Sequence, residues 1–199
     1  MRSNVLIVDL DGVVRHWDPT DMAELERRNG LPPGSVLGTA FRPDLLTSAI
    51  TGGCTDEEWR DAVARTLAER YGVGAWRAVA EWAQPCGSVD EDVLDLLRER
   101  RRGQRVALLS NATSRLPADL AHLGLDREFD AVFGTWELGV AKPDPRVFER
   151  VCNALGEAPD DCLFVDDTAG HVVAARAAGL RVHHYRTYDG LVEALRLDG

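Results

Sequence analysis

The chain has 199 residues and a formal charge of −10, with 45% hydrophobic and 28% charged residues. That length allows one large domain or one domain carrying an insert. The acidic balance speaks against a nucleic-acid or anionic-membrane surface, either of which needs a basic face.

No apolar run approaches the ~20 residues of a membrane span. The N-terminus enters a strand directly, with no signal-peptide pattern. Cys54, Cys86, Cys152 and Cys162 lack C-x-x-C spacing, so packed free thiols in a cytoplasmic protein are expected.

In chain order, Val5-Leu6-Ile7-Val8 is a short continuous apolar run, as in a strand buried on both faces. It ends in Asp9, Asp11 and Gly12. Carboxylates at the end of a core strand are costly without a cation, a hydrogen-bond network or a reaction that needs them. A solvated turn is the plain alternative, because Asp and Gly are ordinary turn residues. Asp18-Pro19 then opens a helical stretch to about Arg28, closed by Asn29-Gly30. Residues 31–54 read as irregular, punctuated by Pro32-Pro33-Gly34 and Gly52-Gly53. Thr55 to Glu58 fits a capping box, and Trp59, Val63, Leu67 and Tyr71 follow at four-residue intervals, as on one helix face. A further helix covers about 74–83.

Pro85 and Gly87 mark a change of pattern. Ser88 to Glu91 reads as a second capping box, leading a helix that turns Val93, Leu94, Leu96 and Leu97 inward and stops at Gly103. Val106–Leu109 is a second buried strand. Helices near 114–123, 145–155, 169–178 and 188–196 then alternate with strands near 130–133, 162–165 and 181–185. Gly124, Gly156 and Gly179 sit just past helices, where a left-handed residue is wanted. Such alternation predicts an α/β fold with a doubly wound parallel sheet. Residues 1–15 and 85–199 would form its core and 16–84 an all-helical insert, with hinges near 15–18 and 84–88. Arg98, Arg100, Arg101 and Arg102 form a basic cluster at a helix end, where cations complement the dipole.

The strand ends carry the chemistry. Strand one ends in Asp9 and Asp11, strand two in Ser110-Asn111, and Cys-Leu-Phe-Val in Asp166-Asp167-Thr168. Lys142 lies in Val-Ala-Lys-Pro-Asp-Pro, before a helix with Asp144 as N-cap and Pro145 in its first turn. It is the only lysine; the other 22 of 23 basic residues are arginine, so a site requiring an ammonium would explain the exception. In a doubly wound fold these loops converge at one edge of the sheet. Four aspartates against one lysine call for a divalent cation, and hard oxygen ligands select Mg²⁺. Such a site invites an anionic phosphoryl group. One carboxylate can attack phosphorus, and a second can move a proton to the leaving oxygen and from water. Ser110 and backbone amides can hold phosphoryl oxygens.

D-L-D-G-V-V, L-L-S-N, the lysine in A-K-P-D-P and F-V-D-D-T resemble motifs one to four of the haloacid dehalogenase-like hydrolase superfamily, over residues 5 to about 185. The insert is similar to the small helical cap of its dehalogenase and phosphoglycolate phosphatase subfamily. The resemblance implies a three-layer Rossmann-like core and a phosphatase that uses Mg²⁺ and an aspartyl-phosphate. By position, it implies Asp9 as nucleophile and Asp11 as general acid/base. Asp9, the carbonyl of Asp11 and Asp167 would bind Mg²⁺, with Asp166 orienting a metal-bound water. Ser110, Asn111 and Lys142 would bind the phosphoryl group. Many relatives carry an asparagine or acid where this chain has Gly170-His171, so His171 is a candidate replacement donor to the metal's outer partners, set against simple packing.

His16 and Trp17, near the hinge, are candidates to touch substrate or merely to pack. Arg42, beside Phe41, is the candidate specificity cation of the insert. His122, His183 and His184 read as structural. The expected partner is a small-molecule phosphate ester, with no nucleic acid and no membrane. A phosphomutase, a 2-haloacid dehalogenase and a non-catalytic phospho-ligand-binding domain are the alternatives. The dehalogenase has no need of an acid at Asp11 or of paired acids at 166 and 167.

Overall fold

β1 (Val5–Val8) is the central strand of the molecule, and all four of its residues are fully buried. The computed structural model describes residues 3–17, 20–84 and 86–198; the expected helix start at Asp18-Pro19 and the hinge residue Pro85 lie outside them. β2 (Arg15–His16) pairs antiparallel with β3 (Ser88–Val89), Arg15 opposite Val89 and His16 opposite Ser88. Between the strands of this ribbon lie α1 (Thr20–Arg28), α2 (Ser35–Ala40), α3 (Pro43–Ile50), α4 (Asp56–Tyr71) and α5 (Gly74–Trp82). The chain continues through α6 (Glu91–Arg101), β4 (Arg105–Ser110), α7 (Leu116–His122) and β5 (Ala131–Gly134). It closes with α8 (Thr135–Leu138), α9 (Pro145–Leu155), β6 (Cys162–Asp166), α10 (Ala169–Ala177), β7 (Arg181–His184) and α11 (Tyr188–Asp198).

The sheet has the order β5-β4-β1-β6-β7, with every pair parallel. The chain steps outward from β1 to β4 and β5, then returns to the far side of β1 for β6 and β7. The order therefore reverses at β1 and β6, the place where open α/β sheets bind ligands beyond the carboxyl ends of their strands. Leu6 and Val8 join one hydrophobic cluster with Leu94 and Leu97 of α6, Leu120 of α7 and Leu191 and Leu195 of α11. Val5 and Ile7, one residue out of phase, join the other with Val147, Phe148 and Val151 of α9 and Ala175 of α10. Helices on both faces explain why the strand is apolar throughout rather than alternating. Each such residue contributes roughly 1.5–3 kcal/mol of burial.

Helices α1 to α5 pack around a separate cluster that includes Val36, Trp59, Val63, Leu67, Ala75 and Val79. The capping box at Thr55 and Glu58 is present. Two expectations are corrected. Residues 31–54 are not irregular but hold α2 and α3. The N-terminus of α2 is capped from a distance by the fully buried Glu26, which accepts hydrogen bonds from the amides of Gly34 (2.6 Å) and Val36 (2.8 Å). The expected box at Ser88 does not form, because Ser88 and Val89 are extended in the ribbon. The N-cap of α6 is Asp90, which accepts from the Val93 amide at 3.0 Å. Cross-strand pairing with Arg15 and His16 outweighs the local cap.

The helical segment also touches the sheet layers. Gly52, at φ 77°, lies against the Trp136 carbonyl of α8, and a Cβ there would overlap it. Asp56, at the start of α4, accepts from Thr113 Oγ1 at 2.7 Å, and its amide donates to Ser114 Oγ at 2.9 Å. All four cysteines are free. No helix among the described residues is long and apolar enough to cross a membrane.

Candidate active site

The site starts from the way β1 stops. The Asp9 amide continues the ladder by donating to Val165 O at 2.9 Å, which sets its side chain at the carboxyl edge of the sheet beside β6. Asp9 is almost fully buried. Its Oδ1 accepts from the Leu10 amide (2.8 Å) and lies 2.9 Å from Lys142 Nζ. Lys142 is fully buried as well, and its three donors are satisfied: Asp9 Oδ1, Asp166 Oδ2 at 2.7 Å and Leu109 O at 3.1 Å. A buried ammonium requires this degree of pairing. Burial pulls its pKa down, but the two carboxylates more than offset this and hold the charge on.

Asp166, at the last position of β6, is the most enclosed acid of the group. Oδ1 accepts from the Thr168 amide (2.7 Å), and His171 Nδ1 lies 3.0 and 3.1 Å from the two oxygens. An ionised carboxylate only accepts, so the proton of this contact belongs to Nδ1. Burial pushes Asp166 upward, but the His171 hydrogen bond and the Lys142 charge outweigh it and hold the carboxyl at about 2. Asp9 responds the other way. Burial raises it to about 7, Lys142 opposes the rise, and the neighbouring Asp166 and Asp11 add to it.

A pocket of about 280 Å³ opens beside these groups, lined by Asp9, Asp11, Gly12, Ser110, Asn111, Asp167, Thr168 and His171. The expected residues from the ends of β1, β4 and β6 thus come together, with Lys142 reaching Asp9 and Asp166 from the loop between α8 and α9. A larger hollow of about 570 Å³ lies at the opposite, amino-terminal edge of the sheet, lined by Ser3, Gln104, Arg101, Arg102 and Arg105 among others. Arg101 there is paired with Asp130 and Arg105 with Glu157, so it gathers no comparable unspent chemistry.

Several residues are used differently from a reading by motif. The Asn111 carboxamide is committed to the Lys142 main chain: Nδ2 donates to its carbonyl and Oδ1 accepts from its amide, each at 2.9 Å. Asn111 therefore fixes the lysine, and its second Nδ2 hydrogen and its backbone remain to serve a phosphoryl group at the pocket it lines. The Asp11 carboxylate is held by Arg15 and Trp17: Oδ1 accepts from Arg15 Nε and Trp17 Nε1, both at 2.7 Å, and Oδ2 from Arg15 Nη2 at 3.0 Å. Arg15 lies just outside the D-L-D-G-V-V motif, and its place four residues after Asp11 is the one sign of this pairing in the sequence. Arg42 is paired with Asp44 on the surface. His16 lies 3.2 Å from Asp90, and His184 Nε2 lies 2.8 Å from the Asp167 carbonyl. His184 thus touches the backbone of the site from β7.

The donor set suits a hard divalent cation. Asp9, Asp166 and His171 bring ligand atoms within 4.8 Å of one another. Asp166 and His171 are spent on each other and on Lys142, whereas Asp9 Oδ2 has no hydrogen bond among the described residues. Asp167 is exposed, with Thr168 Oγ1 3.1 Å from its Oδ1. Gly12, at φ 81°, packs so closely on Asp167 that a Cβ would overlap its carboxylate. Gly12 is thus required both for its left-handed turn and for bringing the chain after β1 against Asp167, the residue that follows β6.

Comparison with known proteins places the chain in a family. Residues 4–179 match the family model described as haloacid dehalogenase-like hydrolase. The chain is 29% identical over 214 residues to phosphatase MT3486 of Mycobacterium tuberculosis, covering 98% of this chain and 94% of that protein. It is 38% identical over 193 residues to phosphoglycolate phosphatase 1 of Pseudomonas aeruginosa, covering 89% and 67%. In fold it is similar to a HAD family enzyme of Bacteroides thetaiotaomicron solved with magnesium and inorganic phosphate, with a TM-score of 0.76 at 22% identity, covering 95% and 98%. The fold, the convergence of three strand ends with Lys142 and the family match lead to one conclusion: this chain belongs to the haloacid dehalogenase-like hydrolases.

Proposed function

We propose that this hydrolase is a Mg²⁺-dependent phosphatase that acts on a small phosphorylated metabolite through an aspartyl-phosphate on Asp9. The observation that carries the reading is the buried Asp9–Lys142–Asp166 triad behind a polar pocket that Asp9 lines, with one Asp9 oxygen held and the other unspent. Lys142 and the Leu10 amide fix Oδ1, which leaves Oδ2 to attack phosphorus. The Ser110 hydroxyl and the backbone amides beyond Asp9 and Ser110 receive phosphoryl oxygens, and the Lys142 ammonium offsets charge that develops there. Asp11 gives a proton to the leaving oxygen and later takes one from water.

Asp9, the Asp11 carbonyl and Asp167 would hold Mg²⁺, with Asp166 kept ionised by Lys142 and His171 as their outer support. When bound, the cation neutralises excess carboxylate charge and polarises the phosphoryl group. Residues 16–84 act in this reading as a cap over a core made of 1–15 and 85–199. Retention of Asp11 and of both aspartates at 166 and 167 favours phosphate-ester chemistry over dehalogenation, which needs neither.

Hydrolysis of p-nitrophenyl phosphate with Mg²⁺, with EDTA and with Asp9→Asn tests this. Turnover should fall by at least about 10³-fold in the variant, as for loss of a catalytic nucleophile, and should be lost on chelation. Undiminished phosphate release by Asp9→Asn breaks the mechanism.

A further inference from the structure

Asp11 is held more firmly than its exposure requires. Its side chain is 41% exposed, so water alone could satisfy it. Instead three protein donors converge on it: two from Arg15 in a fork and one from the Trp17 indole. The Arg15 guanidinium also stacks on the Trp17 ring, 4.7 Å from its centroid, so the two donors brace each other. Arg15 is nearly fully buried, and its remaining arm, Nη1, donates to Asp119 Oδ2 of α7 at 3.1 Å. Asp119 in turn accepts from Arg115 Nε at 2.7 Å, and Arg115 donates to the carbonyl of Ala83. Two carboxylates and two guanidinium groups alternate along this chain. It runs from the acid, through both linkers of the helical segment, to a helix of the core.

The geometry points to Arg15 and Trp17 as positioning residues that assign the proton work of Asp11 to a single oxygen, Oδ2. This inference rests on the phosphatase reading above. A carboxylate has about four acceptor positions. Oδ1 accepts two hydrogen bonds and is fully spent as an acceptor. Oδ2 accepts one, from Arg15 Nη2, and keeps a position for a proton. As the Asp9–phosphorus bond forms and the ester P–O bond breaks, the bonding pair goes to the leaving oxygen, which takes the proton from Oδ2. Water then attacks the aspartyl-phosphate and gives its proton to Oδ2, and the Asp9 carboxylate departs from phosphorus. A pin that served only the linker would not need both donors aimed at the reacting acid, because Asp119 already lies within reach of Arg15.

The full chain is assayed with saturating Mg²⁺ on two esters of similar shape, p-nitrophenyl phosphate and phenyl phosphate. The phenyl ester has the poorer leaving group and depends more on acid assistance. Arg15→Gln should lower kcat for phenyl phosphate by on the order of 10²-fold and for p-nitrophenyl phosphate by much less, with KM for both little changed. Arg15→Lys should recover part of the difference. Trp17→Phe, which removes one exposed donor and keeps the ring, should show the same pattern more weakly. An equal fall on both esters in Trp17→Phe, or no change on either, overturns the assignment, whatever Arg15→Gln does to folding. Asp9→Asn run alongside separates the two failures. Activity that survives there breaks the phosphatase reading. Abolished activity there, with no ester dependence in the Arg15 and Trp17 variants, breaks only this inference.

Discussion

The sheet layers and the helical segment each bury charge, and they use it in opposite ways. In α1–α5, Glu26 is fully enclosed and spends both oxygens on the amides of Gly34 and Val36. Asp56 divides its oxygens between Thr113 and Arg60. Each is a closed local account, a cap or a junction. At the sheet edge, Asp9, Asp166 and Lys142 share one another, and an Asp9 oxygen and Asp167 face a pocket. A buried charge is therefore no sign of chemistry by itself. Convergence from separate strand ends, with capacity left over, is what distinguishes a site.

That contrast can be broken by mutation. Lys142→Met removes the one cation of the triad and leaves Asp9 and Asp166 buried beside each other. We expect a loss of about 3–5 kcal/mol in denaturant unfolding of the chelated protein, as for other broken buried pairs. A loss below about 1 kcal/mol on the same scale would mean that the site is far more hydrated than its burial implies.

A pH series on the chelated protein sharpens the same point without a change in packing. Asp9 is raised to about 7 from an ordinary 3.8, so the folded state binds more protons than the unfolded state between those values. Stability should then fall as pH rises from about 4 to about 7. The melting-temperature gain from added Mg²⁺ should grow over the same interval, as the cation takes the place of the proton. Asp166, held down at about 2, contributes in the opposite sense, and its share is lost only in acid below the ordinary carboxylate range. A chelated Asp9→Asn variant with the same slope as the unaltered chain would contradict this account.

The helical segment should give the smallest response. Glu26→Gln keeps one acceptor and loses the charge and the second hydrogen bond. About 1–3 kcal/mol of stability should go, with kcat for p-nitrophenyl phosphate unchanged. A large kcat effect there would show that packing within the helical segment tunes the chemistry, and would erase the contrast between the two regions.

Much of this architecture was legible from local pattern. The apolar run of β1, the strand–helix alternation after residue 105 and the glycines past α7, α9 and α10 follow from backbone geometry and burial, which act over a few residues. Asp9, Asp11, Ser110, Asp166 and Asp167 could be grouped because parallel topology sends every carboxyl strand end to one edge, and Lys142 because it precedes a helix that returns from that edge. Residues whose partners are distant in sequence could not be read this way. α2 was hidden because its cap, Glu26, sits eight and ten residues before the amides it serves. Ser88 looked like a helix cap until Arg15 and His16 paired across from it. Asn111 could be grouped with the site, but the closure of its carboxamide on the main chain of Lys142, 31 residues away, could not be read. The sequence by itself determined which groups gather at the carboxyl edge, because their types and order follow from strand ends in a parallel sheet. Only the tertiary structure decided what holds each group in place, including Arg15 and Trp17 on Asp11 and His171 on Asp166. Hydrogen-bond partners are chosen by proximity in the folded chain, and proximity leaves no periodic trace in the sequence.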